Sequence, residues 1–364
     1  MTTGAALLRD LPPRVLSWYA AARRDLPWRR TRSPYRIWLA EAMLQQTRVG
    51  TVIPYYARFL KRFPTLAALA EAPLDDVLAV WAGLGYYARA RSLHAAAREV
   101  VRKHKGRVPR RLADLLALPG VGRYTAGAIR SIAFNLPAPI LDGNETRVLC
   151  RWFGVEANPK ASATQKRLWS LAEALVPEGH ARDFNQAMME LGAVVCTPKA
   201  PACGTCPASD LCEAFRLGLQ GALPRMPARK PVPHYDVGLG LVWRRRKLLI
   251  AKRPPTAMLG GLWEFPGGKR EGEEPLAETV RREIKEELGL DVAVGELFVS
   301  VKHAYSHFRV TLHAFHCQCP RGRPRPVRAD AVKWVRVEDL SRYPFPTGSL
   351  KVIRKLRALC LTER

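Results

Sequence analysis

Four prolines, Pro224, Pro227, Pro231 and Pro233, crowd the stretch Leu219–Pro233, with Arg225, Arg229 and Lys230 among them. Each proline fixes φ and removes a backbone donor, so a helix or a central strand is excluded there. An extended basic linker over 219–234 is predicted. It cuts a chain of 364 residues into two pieces of ordinary domain size, 1–218 and 235–364. Their textures differ. The first runs in segments of helical length rich in Ala, Leu, Arg and Glu, and predicts an all-α domain. The second predicts strands at Val237–Ile250, Leu297–Val301, Phe308–Cys319 and Val332–Val337. With helices near Leu276–Leu288 and Leu350–Leu361, that is an α+β domain. Arg321–Arg328 (RGRPRPVR) is expected to be a basic loop, disordered or lying on phosphate.

Hydrophobic residues make up 48% and charged residues 25% of the chain, the balance of a soluble globular protein. Met1–Asp10 lacks a basic start followed by a long apolar core, and no apolar run reaches bilayer-spanning length. A cytoplasmic protein with no membrane partner is expected. Lys and Arg number 59 against 32 Asp and Glu, a formal charge of +27. Such a surplus attracts polyanions. Nucleic acid is the expected partner, because the basic residues accompany a motif suited to gripping a phosphate backbone.

Half of the eight cysteines fall within seventeen residues, as Cys196-x6-Cys203-x2-Cys206-x5-Cys212. Clustered thiolates can saturate one soft metal centre. Disulfides are disfavoured in a chain with no secretory segment. With only one C-x2-C pair, the spacing leaves a four-thiolate zinc site and an iron–sulfur cluster both open.

Leu118-Pro-Gly-Val-Gly-Arg-Tyr-Thr-Ala-Gly127 lies between two helical patterns. Gly120 and Gly122 permit tight backbone and expose amides, and the helix that follows presents its own N-terminal amides to an anion. Two carboxylates stand out nearby. Glu41 lies in the otherwise apolar run Ile37-Trp-Leu-Ala-Glu-Ala-Met-Leu44. Burial there would raise its pKa and leave a proton available for general-acid chemistry. Asp142, in Leu141-Asp-Gly-Asn144, suits a helix N-cap. An acid on one side and a carboxylate on the other is also the arrangement that breaks a glycosidic bond. In the second piece, Glu283, Glu286 and Glu287 fall on one helix face after Gly268. Converging carboxylates would take Mg2+; ion pairing with Arg281, Arg282 and Lys285 is the ordinary alternative.

The Leu118–Gly127 string resembles the helix-hairpin-helix of DNA-repair glycosylases. Trp38-Leu-Ala-Glu-Ala-Met-Leu-Gln-Gln-Thr47, Gly83-Leu-Gly-Tyr-Tyr-Ala-Arg-Ala-Arg91, Leu141-Asp-Gly-Asn144 and Phe184-Asn-Gln-Ala-Met-Met-Glu-Leu-Gly192 add to it, followed by the cysteines. Together they resemble the MutY family of adenine DNA glycosylases over nearly the whole chain. The resemblance implies an all-α helix-hairpin-helix glycosylase domain with a [4Fe–4S] loop at 196–212, followed by an α+β Nudix-like domain. It implies a monomer acting on double-stranded DNA in the bacterial nucleoid, excising adenine opposite 8-oxoguanine or guanine. Glu41 matches the family's acid, and Asp142 the carboxylate that stabilises the oxocarbenium ion. Tyr124 and Asn144 match residues that organise the sugar and that carboxylate. Leu44, Gln45, Gln46 and Tyr86 match positions on the DNA, as do Gly120 and Gly122, and Arg29 and Glu190 match the adenine pocket. An endonuclease III-like lyase carries a lysine where this chain has Tyr124 and lacks a match to Glu41. Glu145 departs from the family, which has an apolar residue after Asp-Gly-Asn.

Gly268-x5-Glu274-x7-Arg282-Glu-Ile-x-Glu-Glu-x-Gly-Leu290 resembles a complete Nudix box, the signature of hydrolases of nucleoside diphosphate derivatives. The family uses such a domain to recognise 8-oxoguanine. Two expectations stand here: recognition alone, or added hydrolysis of oxidised nucleoside triphosphates with Mg2+. Tyr305, Ser306 and His307 match the lesion-reading loop.

Overall fold

The computed structural model describes residues 4–228, 231–305, 307–319 and 321–362. The chain forms two compact units, Met1–Glu71 with Ser92–Arg229, and Ala72–Arg91 with Lys230–Arg364. It opens with α1 (Gly4–Ala22), α2 (Pro34–Leu44), α3 (Val49–Arg62), α4 (Leu66–Glu71), α5 (Leu74–Trp81) and α6 (Tyr87–His104). Next come α7 (Leu112–Leu116), α8 (Arg123–Ala128), a π-helical turn Ile129–Ala133 and α9 (Gly143–Trp152). Helices α10 (Ser162–Leu175), α11 (Ala181–Val194) and α12 (Glu213–Arg216) complete the helical part.

In the first unit, α1 spaces Leu7, Leu11, Val15 and Tyr19 four residues apart, and all are buried against α9, α10 and α11. Each such burial is worth roughly 1.5–3 kcal/mol. Helix α2 is built differently. Ser33 caps it by accepting from the Arg36 amide, Pro34 fills its first position, and every residue from Ile37 to Met43 is buried. A helix buried all round offers Glu41 no wet face. A Cβ at Gly127 would stand 2.2 Å from the Pro139 carbonyl oxygen. Glycine there lets the strand of chain leading into α9 lie directly on α8. Leu219 and Leu223 pack into the same core, and Arg151 donates to the Leu223 carbonyl. The stretch expected to be extended from 219 therefore starts folded, because two leucines four apart bury before the prolines begin.

The second unit holds a mixed sheet of β1 (His234–Arg244), β2 (Lys247–Lys252), β3 (Trp263–Glu264), β4 (Gly267–Lys269), β5 (Ala293–Ala304), β6 (Arg309–Gln318) and β7 (Ala331–Val335). The order is β3-β2-β1-β6-β5, with β4 on β1 and β7 on β2. Strands β1 and β6 are parallel and the other pairs antiparallel. Residue alternation divides the core. Leu239, Leu241, Leu248 and Ile250 join Val352 and Leu356 of α14 (Thr347–Thr362), while Val242, Leu249 and Ala251 join Val280, Ile284 and Leu288 of α13 (Leu276–Leu288).

Helix α13 lies where expected, but the single strand expected over Val237–Ile250 is a hairpin. Arg245 and Arg246 turn it with φ of +47° and +60°, the backbone a two-residue hairpin turn requires. A run of arginines has no place inside a strand buried on both faces. Strands β3 and β4 were not legible, being too short and glycine-rich to show a period. The Arg321–Arg328 loop is tied to α13: the Arg325 amide donates to Leu288 O and the Arg328 amide to Glu287 O. Of the two alternatives expected there, the disordered one is thereby corrected.

Candidate active site

In the first unit a cavity of about 650 Å³ is lined by Arg29, Glu41, Leu44, Gln45, Gln46, Gly120, Gly122, Tyr124, Asp142, Asn144 and Glu190. Residues far apart in the chain thus meet in one place. Its volume is that of a small-molecule pocket. Glu41 is 4% exposed and accepts a 2.8 Å hydrogen bond from the Tyr124 hydroxyl. Burial, reinforced by the Asp142 charge and opposed by Tyr124 and Arg29, pushes the Glu41 carboxyl up to about 7. It can therefore carry a proton near neutrality.

Asp142 is the N-cap of α9. Its Oδ1 accepts from the amides of Asn144 at 2.7 Å and Glu145 at 2.8 Å, and the Asn144 side chain donates to Oδ2 at 3.3 Å. Burial raises its pKa, and those donors together with Arg147 oppose the rise. Arg147 donates to Asn144 Oδ1 at 2.8 Å and to the Cys196 carbonyl at 2.7 Å. One helical turn on, Arg151 donates to Cys196 Sγ at 3.2 Å and Thr197 O at 2.8 Å. Two buried arginines thus brace the cap of α9 against the cysteine loop.

Glu190 is fully buried and receives Arg24 Nε at 2.7 Å and Arg29 at 2.7 Å. Burial alone would raise its pKa, but the two guanidinium groups outweigh burial and hold it down to about 2. Breaking such a pair strands buried charge at a cost of about 3–5 kcal/mol; with Arg24 partly exposed, the lower end applies. Glu190→Gln is expected to destabilise the fold by about 3 kcal/mol at pH 7. A depressed carboxylate stabilises above its unfolded pKa of about 4.3 and loses that stability as pH falls towards 2. The gap between wild type and variant in thermal unfolding should therefore close over that range. Equal midpoints at pH 7 would rule out the buried pair.

The sequence reading missed Arg24 and Met189. Met189 Sδ lies 3.5 Å from the Tyr124 hydroxyl, yet a methionine on an apolar helix gives no signal of this. Gln46 has φ +58°, a left-handed conformation uncommon outside glycine and concentrated at functional sites. Gly120, at φ +71°, makes the hairpin turn as its residue type implies.

The four cysteines line a separate pocket of the first unit. Among the described residues, no group of three or more His, Cys, Asp or Glu is arranged to hold a metal ion. The same holds for the box carboxylates; at Glu286 the structure shows the ion pairing that was the ordinary alternative. Glu286 is taken by Arg328 at 2.7 Å and Arg282 at 3.4 Å. Glu264, missed in the sequence, takes its place beside Glu283 and Glu287. Burial first, then the charge of Glu264, lifts Glu287 up to about 8. Gly268 packs against the Glu283 carboxylate.

Tyr86, Tyr305 and His307 belong to the second unit. Tyr86 has φ +50° and is exposed. Tyr305 is half-buried and packed between His303 and Phe308, with ring centroids 4.6 and 4.8 Å away. His307 is exposed, and Ser306 lies outside the described residues.

The helical unit and its cavity define a base-excision repair glycosylase domain. Residues 39–174 match the HhH-GPD superfamily base excision DNA repair protein model, and residues 238–355 match a NUDIX domain. The chain belongs to the adenine DNA glycosylase family. It is 36% identical to adenine DNA glycosylase of Rattus norvegicus, covering 93% of this chain and 76% of that protein. It is likewise 36% identical to that of Homo sapiens, with coverage of 93% and 72%. Among solved structures it is similar to a thermostable thymine-DNA glycosylase, at 36% identity and a TM-score of 0.54, over 58% of this chain and 97% of that one.

Proposed function

We propose that this chain is a monofunctional glycosylase that removes adenine paired with 8-oxoguanine or guanine in double-stranded DNA. The observation that carries the reading is Glu41, a buried acid with a raised pKa, on Tyr124 and in one cavity with Asp142. Adenine must leave the stack to reach such a cavity. Glu41 then protonates N7, the C1′–N9 bond breaks with its electron pair going to the base, and Asp142 steadies the positive sugar until water adds. Tyr124 offers no amine, so no Schiff base forms and strand cleavage is not expected. Gln46 and Tyr86, held in left-handed backbone, are suited to entering the duplex. Side chains that enter the duplex would offset part of the few kcal/mol that unstacking costs.

The four thiols suit a [4Fe–4S] cluster. All four line one pocket, and clustered thiolates are the ligands such a cluster takes. When bound, the cluster would cross-link the 196–212 loop and present basic groups such as Lys199 to the DNA backbone. Cys203→Ser is expected to weaken duplex binding and thermal stability together; a variant that loses iron yet binds DNA normally would refute that role. No described helix is long and apolar enough to cross a membrane, and the charge of +27 suits work on DNA in the nucleoid.

One preparation assayed on A:8-oxoguanine duplex and on 8-oxo-dGTP tests the reading. Adenine release without triphosphate hydrolysis is expected, since Mg2+ at the box would require Glu286 to leave Arg282 and Arg328. Intact duplex under single-turnover conditions would overturn the glycosylase. Magnesium-dependent hydrolysis lost in Glu287→Gln would assign the second activity.

A further inference from the structure

We infer that Glu145 is a positioning residue: its carboxyl grips the Asp142 amide from the buried side of α9 and so sets the direction in which the Asp142 carboxylate faces the cavity. The inference rests on the proposed glycosylase reading for its catalytic consequence. Its geometry is a reciprocal box. Asp142 Oδ1 accepts from the Glu145 amide at 2.8 Å, and Glu145 Oε2 accepts from the Asp142 amide at 3.3 Å. Capping boxes of this kind are usually found on wet helix ends, where their carboxylate is solvated. This one is not. Glu145 is 2% exposed and lines a small cavity with Ile140, Leu149, Phe184 and Met188.

A carboxyl among such neighbours needs a reason to be there, since an apolar side chain of like size would pack at lower cost. The groups that face it supply one. Asp142 lies on its own cap, and Glu41 of α2 and Tyr124 of α8 are within electrostatic reach. Helix α10 presents Ala172 and Leu175, and α11 presents Phe184, Asn185 and Met188, none of which titrates. Helix α12 meets the far end of α9, where Glu213 lies against Gly154. Burial first, and the Asp142 charge second, drive the Glu145 carboxyl well above the usual range. That direction favours the protonated form. Its Oε2 accepts from the Asp142 amide and so holds the cap from the buried side.

If the grip is lost, the amides of Asn144 and Glu145 no longer meet the Asp142 carboxylate squarely. Burial is then less opposed, so the Asp142 pKa rises. The sign is fixed: the acid limb of the rate profile moves to higher pH. Glu145→Val is expected to lower single-turnover adenine release about tenfold, the effect of about 1.4 kcal/mol, with duplex Kd changed less than twofold. Glu145→Gln keeps an acceptor for the Asp142 amide and should recover most of that rate and the original limb. A merely structural residue would shift the thermal midpoint and leave the limb in place.

An activity-free readout keeps the two readings apart. The carboxyl 13C resonance of Asp142, identified by its loss in Asp142→Asn, is titrated in wild type, Glu145→Val and Glu145→Gln. A higher Asp142 pKa in the valine variant alone supports the inference whatever the turnover of wild type. Superimposed titrations in all three overturn it, even if wild type releases adenine at full rate.

Discussion

Glu41→Gln is expected to lower single-turnover adenine release about 10²–10⁴-fold, the range a positioned general acid contributes. Duplex binding should persist, because glutamine fills the same space and its amide oxygen can still accept from Tyr124, 2.8 Å away in wild type. The pH profile carries the diagnosis. Glu41 must be protonated to act and its carboxyl is pushed up to about 7, so the wild-type rate should fall as pH rises through that value. The residual rate of the variant should lack that limb. Burial of this acid also costs stability at neutral pH. A pKa raised from 4.5 to about 7 corresponds to about 3 kcal/mol lost as pH climbs between those values. The variant should therefore melt higher than wild type at pH 8 and not at pH 4. Full activity in Glu41→Gln would end the acid assignment; an unchanged melting difference across pH would mean the side chain is not desolvated as described.

The second large effect is electrostatic. Asp142→Asn is expected to slow adenine release about 10²–10³-fold, the loss typical of removing one preorganised group that answers charge in the transition state. Asparagine is as good an N-cap as aspartate, so the contacts to the Asn144 and Glu145 amides can survive and the fold should too. Only the charge is removed. A variant that unfolds, or one that turns over within a few-fold of wild type, would show that Asp142 is a cap and nothing more. A rate lost with unchanged duplex affinity and an unchanged thermal midpoint separates chemistry from structure.

The parts legible in the chain were those whose signal is local. Helix α13 (Leu276–Leu288) was read at its observed bounds, because an amphipathic period and the closing Gly289 lie in consecutive residues. The hairpin string, the Asp142 cap and the cysteine quartet were visible for the same reason. The turn at Arg245–Arg246 was missed because strand-forming residues flank it on both sides, and only antiparallel pairing reveals the reversal. Glu264 was missed since a two-residue strand shows no period, and the Arg328 partner of Glu286 was not legible because it lies 42 residues on.

Residue types and spacing alone determined the two-part architecture, the helical and mixed classes of its halves, the thiol quartet, and the pair Glu41 and Asp142 as the carboxylates to watch. Tertiary structure decided what those groups are. A glutamate becomes an acid with a pKa near 7 only when α2 is covered on every side. Asp142 shares its cavity only because Gly127 admits the chain ahead of α9. Glu190 is held ionised, and the Glu145 carboxyl is pushed upward, by neighbours that no spacing places beside them. Charge state follows from desolvation and from groups brought together through space, and a linear order of residues carries neither.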